Sequence, residues 1–359
     1  MHIQADLNKP KVLLLGDYSA YFKNLGTGFE RLGWESHYYS HGDYWKKIEG
    51  LPYPEYPASL IGKAARILRI PIDRRQFKGY DLVLFLSPQI VRYRRQAITF
   101  DSLIKNNKKV VYCSCGSLDP FFQESLSEYE YHPYDHVDIS ERSAEFPKLS
   151  ISESNEIKTG LTKAHCIVTI SSMYDLGYQR AGIKTKKIPL PVANISERPA
   201  APPSEGPLIV QHGINRRGFK GSDFILNAMK SVGEEFPGKM KVEILEKLPF
   251  EEYMLKLSGA DIVLDQCKSQ GYGMNALLAM AQGKIVLSGN EPSLTGYFGF
   301  DHQNIPVINI RPDSSQISAE LRTLMMKDSI ELHELKQASI NCVSQFHDAK
   351  KIARMFEEL

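Results

Sequence analysis

DQCKSQGYGMNALLAMAQGKIVLSG, Asp265–Gly289, reads as the end of a strand, a glycine-bearing loop, a helix and a second strand in one short run. The residues just before it, Ile262–Leu264, are apolar and suit a buried strand, while Met274–Gln282 is rich in helix formers. Gly271 and Gly273 free the backbone for a tight approach between the two. A helix beginning at Met274 points unpaired N–H groups and the positive end of its dipole at the loop mouth, where an anion can sit. Two glycines alone do not distinguish such a phosphate grip from an ordinary strand-to-helix joint, so the surrounding sequence has to decide.

The same alternation extends outward in both directions. PLIVQHG, a helix over residues 222–236, KVEILEKL, a helix over 250–259 and DIVLDQC precede the loop, and KIVLSG and IPVINI close the half. Ser222 stands where an N-cap would end the GFKG loop. The first half opens as βαβ: KVLLLGD (Lys11–Asp17), a helix ending near Arg31–Gly33, then WESHYYS (Trp34–Ser40). YDLVLFLS, KKVVYCSC, AHCIVTIS and KTKKIPLPV continue it. Continuous Val/Leu/Ile strands of this kind are buried on both faces, the mark of parallel sheets covered by helices. The proline-rich run NISERPAAPPSEGP, Asn194–Pro207, breaks the pattern and predicts an interdomain linker. The expected units are therefore residues 1–193 and 207–346, followed by an amphipathic closing helix over 347–359. Two doubly wound sheets facing each other leave a cleft at the carboxyl ends of their strands, where such sheets bind ligands.

A length of 359 residues suits two domains, and a net charge of +2 with mixed signs argues against a general nucleic-acid partner. The five cysteines, Cys113, Cys115, Cys166, Cys267 and Cys342, have neither zinc-site nor disulfide-scaffold spacing, which predicts reduced thiols. The N-terminal apolar run is too short for a signal peptide or a membrane span, and the expectation is a cytoplasmic protein.

Four segments in order resemble the retaining, nucleotide-sugar-dependent family 4 glycosyltransferases of GT-B fold. HGINRRGFKGSDFILNAM (His212–Met229) is similar to the family segment in which an arginine and a lysine-glycine precede a helix. The opening stretch resembles the family's donor-sugar segment, AHCIVTISSMYDLGYQRAGIKTKKIPLPV the end of its N-terminal domain, and HDAKKIARMF the helix that crosses back to that domain. The resemblance implies an α/β chain of two Rossmann-like domains and transfer of a hexose from a UDP-, GDP- or dTDP-sugar to a glycan or lipid-linked saccharide, as in bacterial surface polysaccharide or lipopolysaccharide synthesis. No cofactor beyond the co-substrate is implied. The two glutamates of the family's donor motif fall on Gln270 and Leu278, so neither carboxylate is present. In the family the second accepts hydrogen bonds from the ribose hydroxyls. Asn275 and Gln282, one turn either side of Leu278, could partly substitute, a deoxyribose donor could need less, or recognition could lie elsewhere.

A nucleoside diphosphate leaving group needs positive charge, which Arg216, Arg217 and Lys220 can supply without a metal, and no DxD-type carboxylate pair follows a strand. His212, Gln270, Gly271, Tyr272, Gly273, Met274 and Asn275 are the expected donor-binding residues of the second domain. In the first domain the loop DYSAYFKNLGTGFE offers Gly26 and Thr27 to the donor and Asn24 to the acceptor. CSCGSLDPFF offers Ser117 to orient the acceptor and Asp119 as a catalytic carboxylate, or else an Asp-Pro turn closed by its own side chain. Many relatives have a histidine near this place, and this chain has none. The basic residues Lys63, Arg66, Arg69, Arg74, Arg75 and Lys78, with Arg92, Arg94 and Arg95, fit either a solvated face or a peripheral contact with an anionic membrane. The competing functions are a non-catalytic nucleotide or glycan binder and a hydrolysing nucleotide-sugar epimerase. A Rossmann dehydrogenase is disfavoured because the first turn lacks G-x-G-x-x-G spacing.

Overall fold

A computed structural model describes residues 9–54, 69–92, 97–200 and 206–359. Eleven described strands form two all-parallel sheets, one per half of the chain. The first has the order β2-β1-β3-β4-β5-β6, with β1 Lys11–Leu15, β2 Glu35–Tyr39, β3 Leu82–Phe85, β4 Lys109–Ser114, β5 Cys166–Thr169 and β6 Lys186–Lys187. The second has the order β11-β10-β9-β7-β8, with β7 Leu208–Ile214, β8 Met240–Glu246, β9 Ile262–Leu264, β10 Ile285–Ser288 and β11 Ile308–Asn309. Central strands such as β3 and β10 are buried at every residue, which is why they read as unbroken apolar runs. This is the GT-B arrangement of two α/β domains.

Two expectations need correction. KTKKIPLPV pairs only at Lys186–Lys187, since Pro189 and Pro191 have no N–H to continue a ladder. Ser222 is the first residue of the helix Ser222–Glu235 rather than its cap; Gly221, at φ 71°, takes that place. The C-terminal region is three helices, Ser314–Met326, Ser329–Phe346 and Ala349–Glu357, each capped by an aspartate side chain, Asp313, Asp328 and Asp348.

The last helix lies on Tyr21–Arg31 of the first domain. A Cβ on Gly28 would stand 2.1 Å from the Ala349 carbonyl oxygen, so the missing side chain lets the two helices touch. Trp34 Nε1 donates to Glu357 at 3.0 Å beside this contact. The two chain crossings run together: Val192 N donates to the His347 carbonyl at 2.7 Å and Ala349 N to that of Val192 at 2.9 Å. All five cysteines are free. Among the described residues no helix is long and apolar enough to cross a membrane. Lys63, Arg66, Arg94 and Arg95 lie outside the described residues, and so does the middle of the proline-rich run.

Candidate functional site

The carboxyl ends of β7 and β9 bring Lys220 and Asp265 together. Lys220, 8% exposed, holds Asp265 Oδ1 at 3.0 Å, and Asn275 Nδ2 donates to the same oxygen at 2.9 Å. Burial pushes the Asp265 carboxyl up, but Lys220 and the hydrogen bonds outweigh it and leave the group below the usual carboxylate range. Beneath the pair lies His212, fully buried. Its Nδ1 faces the Leu264 carbonyl at 2.8 Å and must donate, so Nε2 accepts from the Ser222 hydroxyl at 2.9 Å. Burial, then the Lys220 charge, lowers this imidazole to about 4, and it stays neutral. His212 is thus a support for the lysine loop and has no nitrogen left for a donor.

The loop after β7 is basic on its outer side. Arg217 is engaged by Asp223, with Nε at 2.8 Å and Nη2 at 2.7 Å. Arg216 is exposed, stacks 3.5 Å over the Phe219 ring and has no carboxylate partner among the described residues. The helix Met274–Ala281 begins at Gly273 with no side chain capping its first turn, and its Asn275 reaches the Asp265 that holds Lys220. The two loop glycines differ in purpose. A Cβ on Gly271 would strike Leu294 at 2.5 Å, so this glycine serves packing. Gly273 has only Gln266 Nε2 within reach, at 3.8 Å, and presents open backbone beside the helix start. An anion at this mouth would meet Lys220 and the free N–H groups of the helix start, and Arg216 stands on the same loop as Lys220.

The remaining donor-segment residues are occupied. Gln270 donates to the Tyr131 carbonyl at 3.4 Å, and Tyr272 reaches His347 at 3.2 Å, toward the chain crossing rather than the loop mouth. Leu278 is buried at 7% exposure. Asn275 is held on its other side by the Tyr253 hydroxyl, so its amide does not replace the absent ribose-binding carboxylate.

On the first-domain side the structure withdraws four sequence candidates. Asp119 is wholly buried and caps the helix Pro120–Ser125: Phe121 N and Phe122 N donate to one oxygen, and Tyr112, Ser114 and Tyr178 hydroxyls to the other. Five donors leave no lone pair for an acceptor hydroxyl. Asn24, Gly26 and Thr27 lie within the helix Tyr21–Arg31, not in a loop. Asn24 bridges Ala20 O at 2.7 Å and Ala193 N at 2.8 Å, Gly26 makes room for Ser36 and Leu14, and Thr27 bonds back to Lys23 O. Ser117 stays half-buried at the end of the β4 loop.

What the sequence did not disclose is that Glu128–His136 spans to the second domain. Tyr131 donates to Glu291 at 3.0 Å, Asp135 pairs with Lys268, and the Tyr134 ring meets Phe219 edge-on at 5.2 Å. Glu291, also gripped by Arg311 Nε and Nη2 at 2.8 and 2.9 Å, has its carboxyl held down to about 2.

No family model and no curated protein matches the chain. Solved structures do. Sucrose-phosphate synthase from Thermosynechococcus elongatus is 14% identical with TM-score 0.62, matching 98% of each chain. An alpha-glucosyltransferase solved with UDP and a 13-mer DNA is 11% identical with TM-score 0.61, over 98% of this chain and 99% of that one. Anabaena HepE in complex with UDP-glucose is 13% identical with TM-score 0.56, over 97% and 98%. At such identities the likeness establishes the shared fold over the full length.

Proposed function

We propose that this chain is a glycosyltransferase that takes a hexose from a nucleoside diphosphate sugar, with retention, and gives it to a glycan or lipid-linked saccharide in surface polysaccharide synthesis. The observation that carries the proposal is the loop after β7 that bears Arg216 and Lys220, with Lys220 joined through Asp265 to Asn275 in the first turn of the uncapped helix at Met274. The neighbours solved with UDP or UDP-glucose support a uridine-type donor.

As the bond to the sugar breaks, negative charge gathers on the departing diphosphate. Arg216 grips two oxygens at once, Lys220 adds a point charge backed by Asp265, and the helix adds N–H donors. The acceptor hydroxyl attacks from the same face and passes its proton to the departing phosphate, so the protein positions and stabilises rather than acting as an acid-base pair. This chemistry tolerates Gln270 and Leu278 in place of carboxylates, and it fits the withdrawal of Asp119 from the site.

The buried Leu278 also motivates a second reading, a binding protein without turnover. Assays with UDP-, GDP- and dTDP-sugars and a panel of glycan acceptors separate the two. Acceptor-dependent release of nucleoside diphosphate supports the enzyme; binding without release supports the second reading. Release without acceptor, giving an epimerised sugar, would point to an epimerase.

A further inference from the structure

β8 is an outer strand of the second sheet and, among the described residues, the one long open edge of the molecule. Of the other outer strands, β6 and β11 are two residues each. β2 has its far end closed by Leu51, whose N donates to the Tyr38 carbonyl at 2.8 Å and whose carbonyl accepts from Ser40 N at 3.1 Å. Short or covered edges are the ordinary defence against pairing with another chain. β8 runs for seven residues, MKVEILE, and no described residue outside β7 bonds to its backbone.

The direction of its backbone groups follows from the ladder. Leu208 N donates to the Lys239 carbonyl at 2.8 Å, and in a parallel sheet successive residues turn their N–H and C=O to alternate sides. Lys241, Glu243 and Leu245 therefore turn theirs to β7, while Met240, Val242, Ile244 and Glu246 turn theirs outward. The side chains of Met240, Val242 and Ile244 form, with Leu226 and Met229 of the helix Ser222–Glu235, a groove of about 440 Å³ along this edge. Val242 is 41% exposed and Ile244 39%. On the other face Lys241 pairs with Glu243 at 2.9 Å.

A second copy of β8, added antiparallel about a two-fold axis, can meet the outward groups in few registers. Centred on Lys241 or Glu243, the pairing sets like charges opposite each other, and centred on Met240 it sets Lys241 against Lys239. Centred on Ile244, it sets Glu246 against Val242. Centred on Val242, it sets Lys241 against Glu243 twice, Met240 against Ile244 twice and Val242 against its own copy. That register alone pairs opposite charges on one face and apolar side chains on the other. The axis stands perpendicular to the sheet, so the two grooves meet across the seam.

We infer that β8 is the dimer interface of this protein, pairing antiparallel with β8 of a second copy about Val242 and joining the two second-domain sheets into one. The inference is independent of the function proposed above.

The test is sedimentation equilibrium of the full chain across the micromolar range, with circular dichroism to confirm folding. The wild type is expected to show a monomer–dimer equilibrium. Lys241→Glu turns two attractive cross-strand pairs into repulsive ones and should weaken it about tenfold or more; Lys241→Glu with Glu243→Lys in one chain should restore it to within about threefold. The single variants Lys241→Glu and Glu243→Lys, each monomeric alone, should pair when mixed. Val242→Pro removes an outward N–H without costing a bond to β7 and should abolish the dimer. The charge variants lie on exposed side chains and decide the matter even if the proline variant does not fold. A wild type that stays monomeric leaves the edge to a different chain and overturns the inference. So does a dimer indifferent to Lys241→Glu, or one lost in that variant and not recovered by the reciprocal change.

Discussion

Lys220 and Arg216 sit four positions apart, yet they answer different questions. Lys220 is buried against Asp265, so Lys220→Met strands a buried carboxylate and should lower stability by about 3–5 kcal/mol in urea unfolding, whatever it does to binding. Arg216 is exposed, stacks on the Phe219 ring and has no carboxylate partner among the described residues. Arg216→Ala should leave stability within about 0.5 kcal/mol and weaken nucleoside diphosphate binding about 10- to 100-fold by titration. Asp119→Ala is the converse: it should destabilise by about 2 kcal/mol or more, through loss of the cap and of acceptors for three hydroxyls. At whatever temperature the variant stays folded, turnover should be near that of the wild type. The cations were legible because arginine, lysine and glycine precede a helix start. Asp265 was not, since a strand-ending acid reveals no partner until the sheet order puts β9 beside β7.

At the scale of elements, the helix Tyr21–Arg31 is where sequence and structure part most. Asn24, Gly26, Thr27 and Gly28 look like a flexible loop, because glycine is a poor helix former and loops after first strands bind ligands. The structure makes the segment a helix, and its glycines serve packing instead, Gly26 clearing Ser36 and Gly28 clearing Ala349. That second requirement comes from a segment more than three hundred positions away, beyond the reach of local pattern. Gly28→Val should therefore push the C-terminal helix off its seat and cost about 1–3 kcal/mol, with a lower melting temperature. Trp34 fluorescence should change with it, since its indole bonds the same helix at Glu357. The opening stretch fared better, with β9, the helix Met274–Ala281 and β10 falling in order. Its two glycines, equal on paper, proved to be one packing contact and one open face.

Across the whole molecule, two buried histidines set the acid limit. Burial lowers His212 and His347 to about 4 from an ordinary 6.5. Between those values the unfolded chain takes up protons that the folded chain refuses, so stability falls as pH drops through the window. Each histidine contributes a slope of about 1.4 kcal/mol per pH unit. Asp17 works against them: burial raises it to about 6, so the folded chain holds its proton first and gains stability between there and 3.8. Urea unfolding from pH 7 to 4 should show a net loss with acid, and His347→Gln should flatten it by one histidine's share. The cleft carries the central claim, and the most direct measurement is thermal stability of the wild type with UDP, GDP or dTDP. At least one diphosphate should raise the melting temperature, since a ligand at a hundred times its Kd adds about 2.7 kcal/mol. UDP and dTDP should act alike, because Leu278 and the engaged Asn275 read no 2′-hydroxyl. No shift with any of the three would contradict the account.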